Sequence, residues 1–300
     1  MTSSTITTSS AHKGYIPQWA SDLQADLQTQ YRSIWLTTTF GTTHVWAAQT
    51  NDTQKPNLLM IPGWGSCGLS WDLADQIQYY TPNYNVYLLD NLGQPGLSSS
   101  IPLHGFRATQ YSLWIKEVCE GLGLERLSVL GESFGGFLSM LLALSAPHRL
   151  DKVILFAPAG LVQLTIGLPI ISRFAALRIN PTPRTAGRFL KHILYNAQHP
   201  QLTAPIKRRM AQFMALAFRH NRLLPPPLPY VLSDIQLQQI SVPVALLTGQ
   251  HDRMFDSRHS IARAHRCLPN LIAAVSLPNA DHTLIIHAPA HEQARHFLKQ

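Results

Sequence analysis

The chain has 300 residues, of which 45% are hydrophobic and only 13% charged, with a net charge of +8. So much apolar content excludes a disordered chain, and the length suits one large domain or a core carrying an insertion. The basic residues are scattered apart from Lys207-Arg208-Arg209 and Arg219 to Arg222, and no stripe interleaves with aromatics, which argues against nucleic-acid binding; no run reaches the ~18 apolar residues of a membrane span.

The opening MTSSTITTSSAHKG is rich in Ser and Thr and reads as a frayed tail, without the basic-then-apolar order of a secretory signal. Cys67, Cys119 and Cys267 are odd in number and widely spaced, the usage of reduced thiols rather than of a disulfide framework. Both features lead to the expectation of a cytoplasmic protein. A weak helical pattern over residues 19–31 predicts a helix lying over the core, which together with the tail makes residues 1–30 a separate N-terminal piece. Residues 33–40 and 43–50 read as a hairpin around Gly41, and the fully apolar run 57–61 ends in Pro62-Gly63-Trp64-Gly65. A helix over 69–79, a strand over 85–89 closed by Asp90, a turn-rich loop over 91–98 and a helix over 109–121 follow.

Residues 126–142, RLSVLGESFGGFLSMLL, hold the stretch that the rest of the chain serves. An apolar run reads as a buried strand, a helical pattern begins at Phe134, and Gly131-Glu132-Ser133-Phe134-Gly135 lies between them. G-x-S-x-G at a strand-to-helix junction is the context of a nucleophile elbow. A serine on so tight a turn takes a strained backbone, and glycine two positions either side removes the collisions that side chains would cause. The N-terminus of the following helix aims free N–H groups at the place where an oxyanion would form.

Residues 152–156 read as the next strand. Residues 160–235 then hold helical segments broken by prolines, including the run Pro225-Pro226-Pro227-Leu228-Pro229, and none resembles a buried strand. Alternation resumes with a strand over 243–248, a helix over 257–267, a strand over 271–276 and a helix over 289–298. Such alternation predicts a parallel sheet covered on both faces, built from residues 31–159 and 236–300, with 160–235 as a helical cap above the carboxyl ends of the strands.

A serine hydroxyl needs a base, and the base needs an acid to orient it. Asp252 lies just past the strand at 243–248, and His282 just past the strand at 271–276, so Ser133, Asp252 and His282 are the candidate catalytic residues. Asp256 and Asp281 remain alternative acids. A second oxyanion N–H, besides that of Phe134, is expected from the loop after 57–61, where Trp64 sits between two glycines. His287, His291 and His296 lack a metal-binding spacing, so no metal and no cofactor is expected.

With elbow, acid and base in the order Ser133, Asp252, His282, the chain resembles the α/β-hydrolase superfamily, and most of all its carboxylesterase-like members with a single lid, over roughly residues 33–299. The resemblance implies a mostly parallel eight-stranded sheet. Two departures stand out. Relatives commonly carry H-G-x-G where this chain has Pro62-Gly63-Trp64-Gly65, and DNLGQPGLS at 90–98 is similar to D-x-x-G-x-G-x-S with one extra residue. Serine at 133 argues against superfamily members with an aspartate nucleophile. Thr283 after the histidine lowers the carbon–carbon hydrolase reading, which stays open beside a thioester hydrolase and a non-hydrolytic member of the fold. The expectation is a serine hydrolase forming an acyl-enzyme with a small, hydrophobic acyl substrate, without nucleic-acid partners or stable membrane insertion. Leu161, Leu164, Ile166 and Phe174, along with Leu168, Ile170 and Ile171, are the expected pocket lining.

Overall fold

In the computed structural model, which describes residues 15–48, 52–99, 108–165, 167–193, 202–220 and 229–300, helix α1 (Tyr15–Asp26) precedes the sheet. Strands β1 (Tyr31–Thr38) and β2 (Gly41–Ala48) form the expected antiparallel hairpin, Thr38 pairing with Gly41. Then come β3 (Asn57–Ile61), β4 (Asn85–Leu89), helix α2 (Ala108–Gly121), β5 (Leu127–Glu132), helix α3 (Phe134–Ser145) and β6 (Leu150–Phe156). Helices α4 (Leu168–Ile179), α5 (Pro183–Ile193), α6 (Ala204–His220) and α7 (Asp234–Gln238) fill the segment before β7 (Val244–Gly249). Helix α8 (Ser257–Cys267), β8 (Leu271–Leu277) and helix α9 (Ala288–Lys299) close the chain.

The eight strands lie in the order β1-β2-β4-β3-β5-β6-β7-β8. β1 and β2 are antiparallel to their neighbours, and all pairs from β4 to β8 are parallel. Every residue of β5 and β7 is buried, as expected of central strands covered on both faces. Because side chains alternate along a strand, each strand feeds two cores. Leu59, Val129, Leu155 and Leu246 meet α2, α3 and α8 on one face, while Leu58, Leu130, Ile154 and Leu247 meet α1, α6 and α9 on the other.

The helix expected over 69–79 is instead two 3₁₀ turns, Gly68–Asp72 and Gln76–Tyr79. A buried carboxylate diverts the chain: Asp72 accepts the Tyr31 hydroxyl at 2.7 Å and the Ile77 N–H at 3.1 Å, and Asp75 adopts a left-handed φ of 55° between the turns. The apolar periodicity that predicted one helix is therefore cut by a polar demand it does not register.

Residues 160–235 carry ten of the 24 Lys and Arg but only one of the 16 Asp and Glu, so the molecule's net positive charge resides on this segment. Among the described residues no helix is long and apolar enough to cross a membrane, and no group of three or more His, Cys, Asp or Glu side chains is placed to hold a metal ion.

All three cysteines are free and buried. Burial pushes the Cys67 thiol far up and the Cys119 thiol up to about 12, so neither forms a reactive thiolate near neutral pH. Titration of the native protein with an aromatic disulfide reagent at pH 8 is expected to release no chromophore within minutes, and three equivalents after denaturation; rapid release without denaturant contradicts this burial.

Candidate active site

β5 ends at Glu132 and α3 begins at Phe134, leaving Ser133 alone to turn the chain. Its φ of 50° and ψ of −112° lie outside the regions a side chain ordinarily allows, a conformation costing on the order of 1–3 kcal/mol. Backbone bonds hold it there. The Ser133 N–H donates to Phe156 O at 2.8 Å, and its carbonyl accepts from Phe137 at 3.1 Å and Ala159 at 2.9 Å. The glycines make the approach feasible: a Cβ on Gly135 would overlap the Ile61 carbonyl, and one on Gly131 would overlap the Gly135 carbonyl. Phe134 opens α3, so its N–H lies ahead of any intrahelical acceptor.

Asp252 and His282 meet across the turns that follow β7 and β8. One Asp252 oxygen takes the N–H groups of Met254 and Phe255 at 2.7 and 3.1 Å, and the other lies 2.9 Å from His282 Nδ1. Both side chains are almost wholly buried. Burial alone would drive the imidazole's pKa down, but the charge and hydrogen bond of Asp252, with smaller contributions from Glu132 and Asp281, raise it above the ordinary histidine value. The other two candidate carboxylates are occupied elsewhere. Asp256 is half exposed and caps α8 through the His259 N–H at 2.8 Å, while Asp281 takes the Thr283 N–H at 2.8 Å.

The turn after β3 is braced by the loop after β4. Asn91 donates to Pro62 O at 2.8 Å, and Gln94 accepts the Gly65 N–H at 2.9 Å. The start of that loop is fixed by buried Asp90, which accepts from Gly68 N at 2.7 Å, Leu97 N at 3.0 Å and Trp46 Nε1 at 3.2 Å, and pairs with His44 Nδ1 at 2.9 Å. Two amide side chains thus support the turn in a chain that lacks the histidine of H-G-x-G. The individual roles of Asn91 and Gln94 escaped the sequence reading, although they stand in one of the two stretches that depart from the family pattern.

Glu132, the variable residue before Ser133, also escaped it. The side chain is buried, and its carboxyl lies against Gly63 and faces the backbone N–H groups of Gly63 and Ile285. Burial pushes its pKa up to about 7, against the opposing pull of His282 and the two N–H donors.

Ser133, His282, Glu132, Gly63 and Trp64 share one pocket. Most of its remaining wall is apolar, with Trp19 from α1, Phe189 and Leu190 from α5, and Met210, Phe213 and Met214 from α6, beside the hydroxyl-bearing Ser66, Ser70 and Thr283. No Lys, Arg or Asp is among the described lining residues, and Trp19 packs on Phe213 with ring centroids 4.5 Å apart. The expected lining is displaced. Leu161 is fully buried in the core shared with α2 and α3, its carbonyl held by Arg263, and Leu164 packs against the same core. Phe174 stands behind the wall, its ring 6.1 Å from Trp64 and 6.0 Å from Phe189. Leu168 and Ile171 face solvent, 81% and 52% exposed, while Ile170 is partly buried against the core; Ile166 lies outside the described residues. Hydrophobicity marked the segment correctly but not the face, because the hydrogen bond from Leu232 N to Gly160 O and the Arg263 contact draw residues 160–161 back onto the sheet core.

Residues 56–289 match the family described as alpha/beta hydrolase fold, and the chain belongs to that family. It is similar to the uncharacterized carboxylesterase nap of Bacillus subtilis (strain 168), 27% identical over 270 residues covering 88% of this chain and 85% of that protein. It is equally similar to carboxylesterase YbfK of the same organism, 27% identical over 269 residues covering 88% and 86%. The crystal structure of carboxylesterase CesB (YbfK) from Bacillus subtilis shares the fold, with a TM-score of 0.79 at 23% identity over 95% of each chain. The eight-stranded, mostly parallel sheet expected from the sequence is the one observed.

Gly135→Ala is expected to destabilise the fold by about 3 kcal/mol or more, since the methyl group meets backbone rather than a movable side chain. A thermal midpoint lowered by roughly 5–10 °C is the corresponding observation; an unchanged midpoint contradicts the close approach of α3 to the end of β3.

Proposed function

We propose that this chain is a serine esterase that cleaves small, apolar, uncharged carboxylic esters through an acyl-enzyme, with residues 160–235 acting as a cap over a core of residues 31–159 and 236–300. The observation that carries the reading is the strained Ser133 sharing a pocket with a histidine whose Nδ1 is held by a buried carboxylate. In this reading the Ser133 oxygen attacks the ester carbonyl while its proton passes to His282 Nε2. Asp252 keeps Nδ1 protonated and balances the imidazolium. The N–H groups of Phe134 and Trp64 receive the oxyanion, and collapse releases the alcohol with the proton from His282. Water then repeats the sequence on the acyl-enzyme. The carboxylesterase relatives support the choice of ester over other acyl bonds.

The apolar wall supports the substrate class. A carboxylate on the acyl chain would lose its hydration with no Lys or Arg among the described lining residues to pair with it. Phe189, Leu190 and Phe213 instead bury methylene groups, each contributing about 0.8 kcal/mol.

Labelling with a fluorophosphonate probe tests the nucleophile: one adduct is expected on the native chain and none on Ser133→Ala, and absence of labelling, or labelling that survives this substitution, overturns the reading. Asp252→Asn is expected to lower kcat by roughly 10³–10⁴-fold with the fold retained; near-normal turnover removes Asp252 from the mechanism.

A second assay addresses selectivity. The kcat/KM for p-nitrophenyl butyrate is expected to exceed that for the p-nitrophenyl hemiester of succinic acid by about 100-fold or more, the cost of burying an unpaired carboxylate. Comparable values contradict the apolar pocket as the acyl site.

A further inference from the structure

We propose that Glu132 is a positioning residue that clamps the oxyanion loop to the histidine loop and, as a carboxylate, stabilises the imidazolium of His282 during acyl transfer. The inference rests on the serine-esterase reading above and adds a second carboxylate to it.

The geometry begins with the elbow itself. Glu132 is the last residue of β5, so its side chain leaves the sheet one position before the nucleophile and lines the same pocket. It is 6% exposed. The side chain lies against Gly63, where a Cβ would stand 3.2 Å from Oε2. Its carboxyl faces the N–H of Gly63, from the turn that carries Trp64, and that of Ile285, from the loop that carries His282, and all three residues line the pocket. A single side chain thus lies between the oxyanion turn, the serine and the base.

Charge is the second half of the argument. A neutral side chain would fill the same place, whereas a buried carboxylate needs a cation nearby to be retained at low cost. Among the described residues no Lys or Arg lines the pocket. The ionisable groups facing Glu132 are His282, from the loop after β8, and Asp252, from the loop after β7, with Asp281 also acting on His282; the turn after β3 presents only backbone. Among the described lining residues the cation that can form is the imidazolium, and during turnover it forms when the serine proton moves to His282 Nε2. Asp252 is committed to Nδ1. Glu132 therefore acts on the transition state through its field and takes no proton from the substrate. Because the group sits at a pKa of about 7, it is a carboxylate above neutral pH, the range in which His282 is free to serve as base.

The direction of the pH effect follows. An ionised Glu132 raises the pKa of His282, so replacing it with a neutral side chain lowers that pKa and moves the acidic limb of activity to lower pH. The test compares wild type and Glu132→Gln in kcat/KM for p-nitrophenyl butyrate and in the rate of fluorophosphonate inactivation, both from pH 5 to 9. The expected result is a plateau lowered about 10-fold, KM within about twofold, and an acidic limb displaced downward by on the order of one pH unit. A lowered plateau with an unmoved limb leaves Glu132 a purely structural clamp and overturns the proposal. Failure of the wild type to label at Ser133 overturns the esterase reading and this inference together, whereas normal Ser133 labelling with an unmoved limb overturns this inference alone. Should Glu132→Gln not fold, the ¹³C resonance of the His282 ring, assigned by its loss in His282→Gln, is followed in the wild type. Two inflections, one from Glu132 and one from the ring itself, are expected; a single inflection overturns the proposal.

Discussion

The approach of α3 to the end of β3 constrains everything around the pocket. Gly135 lies so close to the Ile61 carbonyl that no side chain fits, and this contact joins the elbow helix to the strand whose following turn holds Trp64. Ser133 is left in a conformation it would not choose, and its hydrogen bonds to Phe156, Phe137 and Ala159 keep it there. Three such bonds contribute about 1 kcal/mol each, enough to offset a strain of on the order of 1–3 kcal/mol. The cost is thus met by neighbours in β6 and α3 rather than by the serine itself.

From this fixed point the pocket is assembled by loops at the carboxyl ends of β3, β4, β5, β7 and β8, where open parallel sheets gather their ligands. Each loop is tied by a polar side chain that is itself buried or nearly so. Asp90, Asn91 and Gln94 hold the turn after β3, Asp252 gathers two N–H groups of its own turn, and Glu132 spans two loops at once. Polar satisfaction, rather than apolar packing, sets the positions of the reactive groups. Packing then decides the shape of the space in front of them, through aromatic and methionine side chains from α1, α5 and α6.

Sequence patterns made much of this legible, for reasons that differ between elements. β3 and α8 fall on the residues expected of them, because a wholly apolar run and a capped amphipathic run are local signals. Ser133, Asp252 and His282 could be named because the parallel topology sends successive strand ends to one side of the sheet. What stayed hidden depends on long-range contact. Trp19 reaches the pocket from an N-terminal helix that looked peripheral, and Asn91, Gln94 and Glu132 act on segments distant in sequence. The 3₁₀ turns around Asp72 were hidden for the same reason, their partner Tyr31 lying 41 positions away. On α4, Leu168 and Phe174 are equally apolar, yet one faces water and the other the wall behind the pocket.

The segregation of charge makes the molecule an electric dipole. With ten basic and one acidic residue on 160–235, the remainder of the chain is close to electroneutral. The positive end therefore coincides with the helices that contribute Phe189, Met210 and Phe213 to the pocket. In an external field, or before any negatively charged body, the molecule turns this end forward, and over distances up to a Debye length of about 8 Å at physiological salt its orientation precedes contact. Ionic strength then becomes a variable that alters how the protein is presented to its surroundings while leaving the geometry at Ser133 untouched.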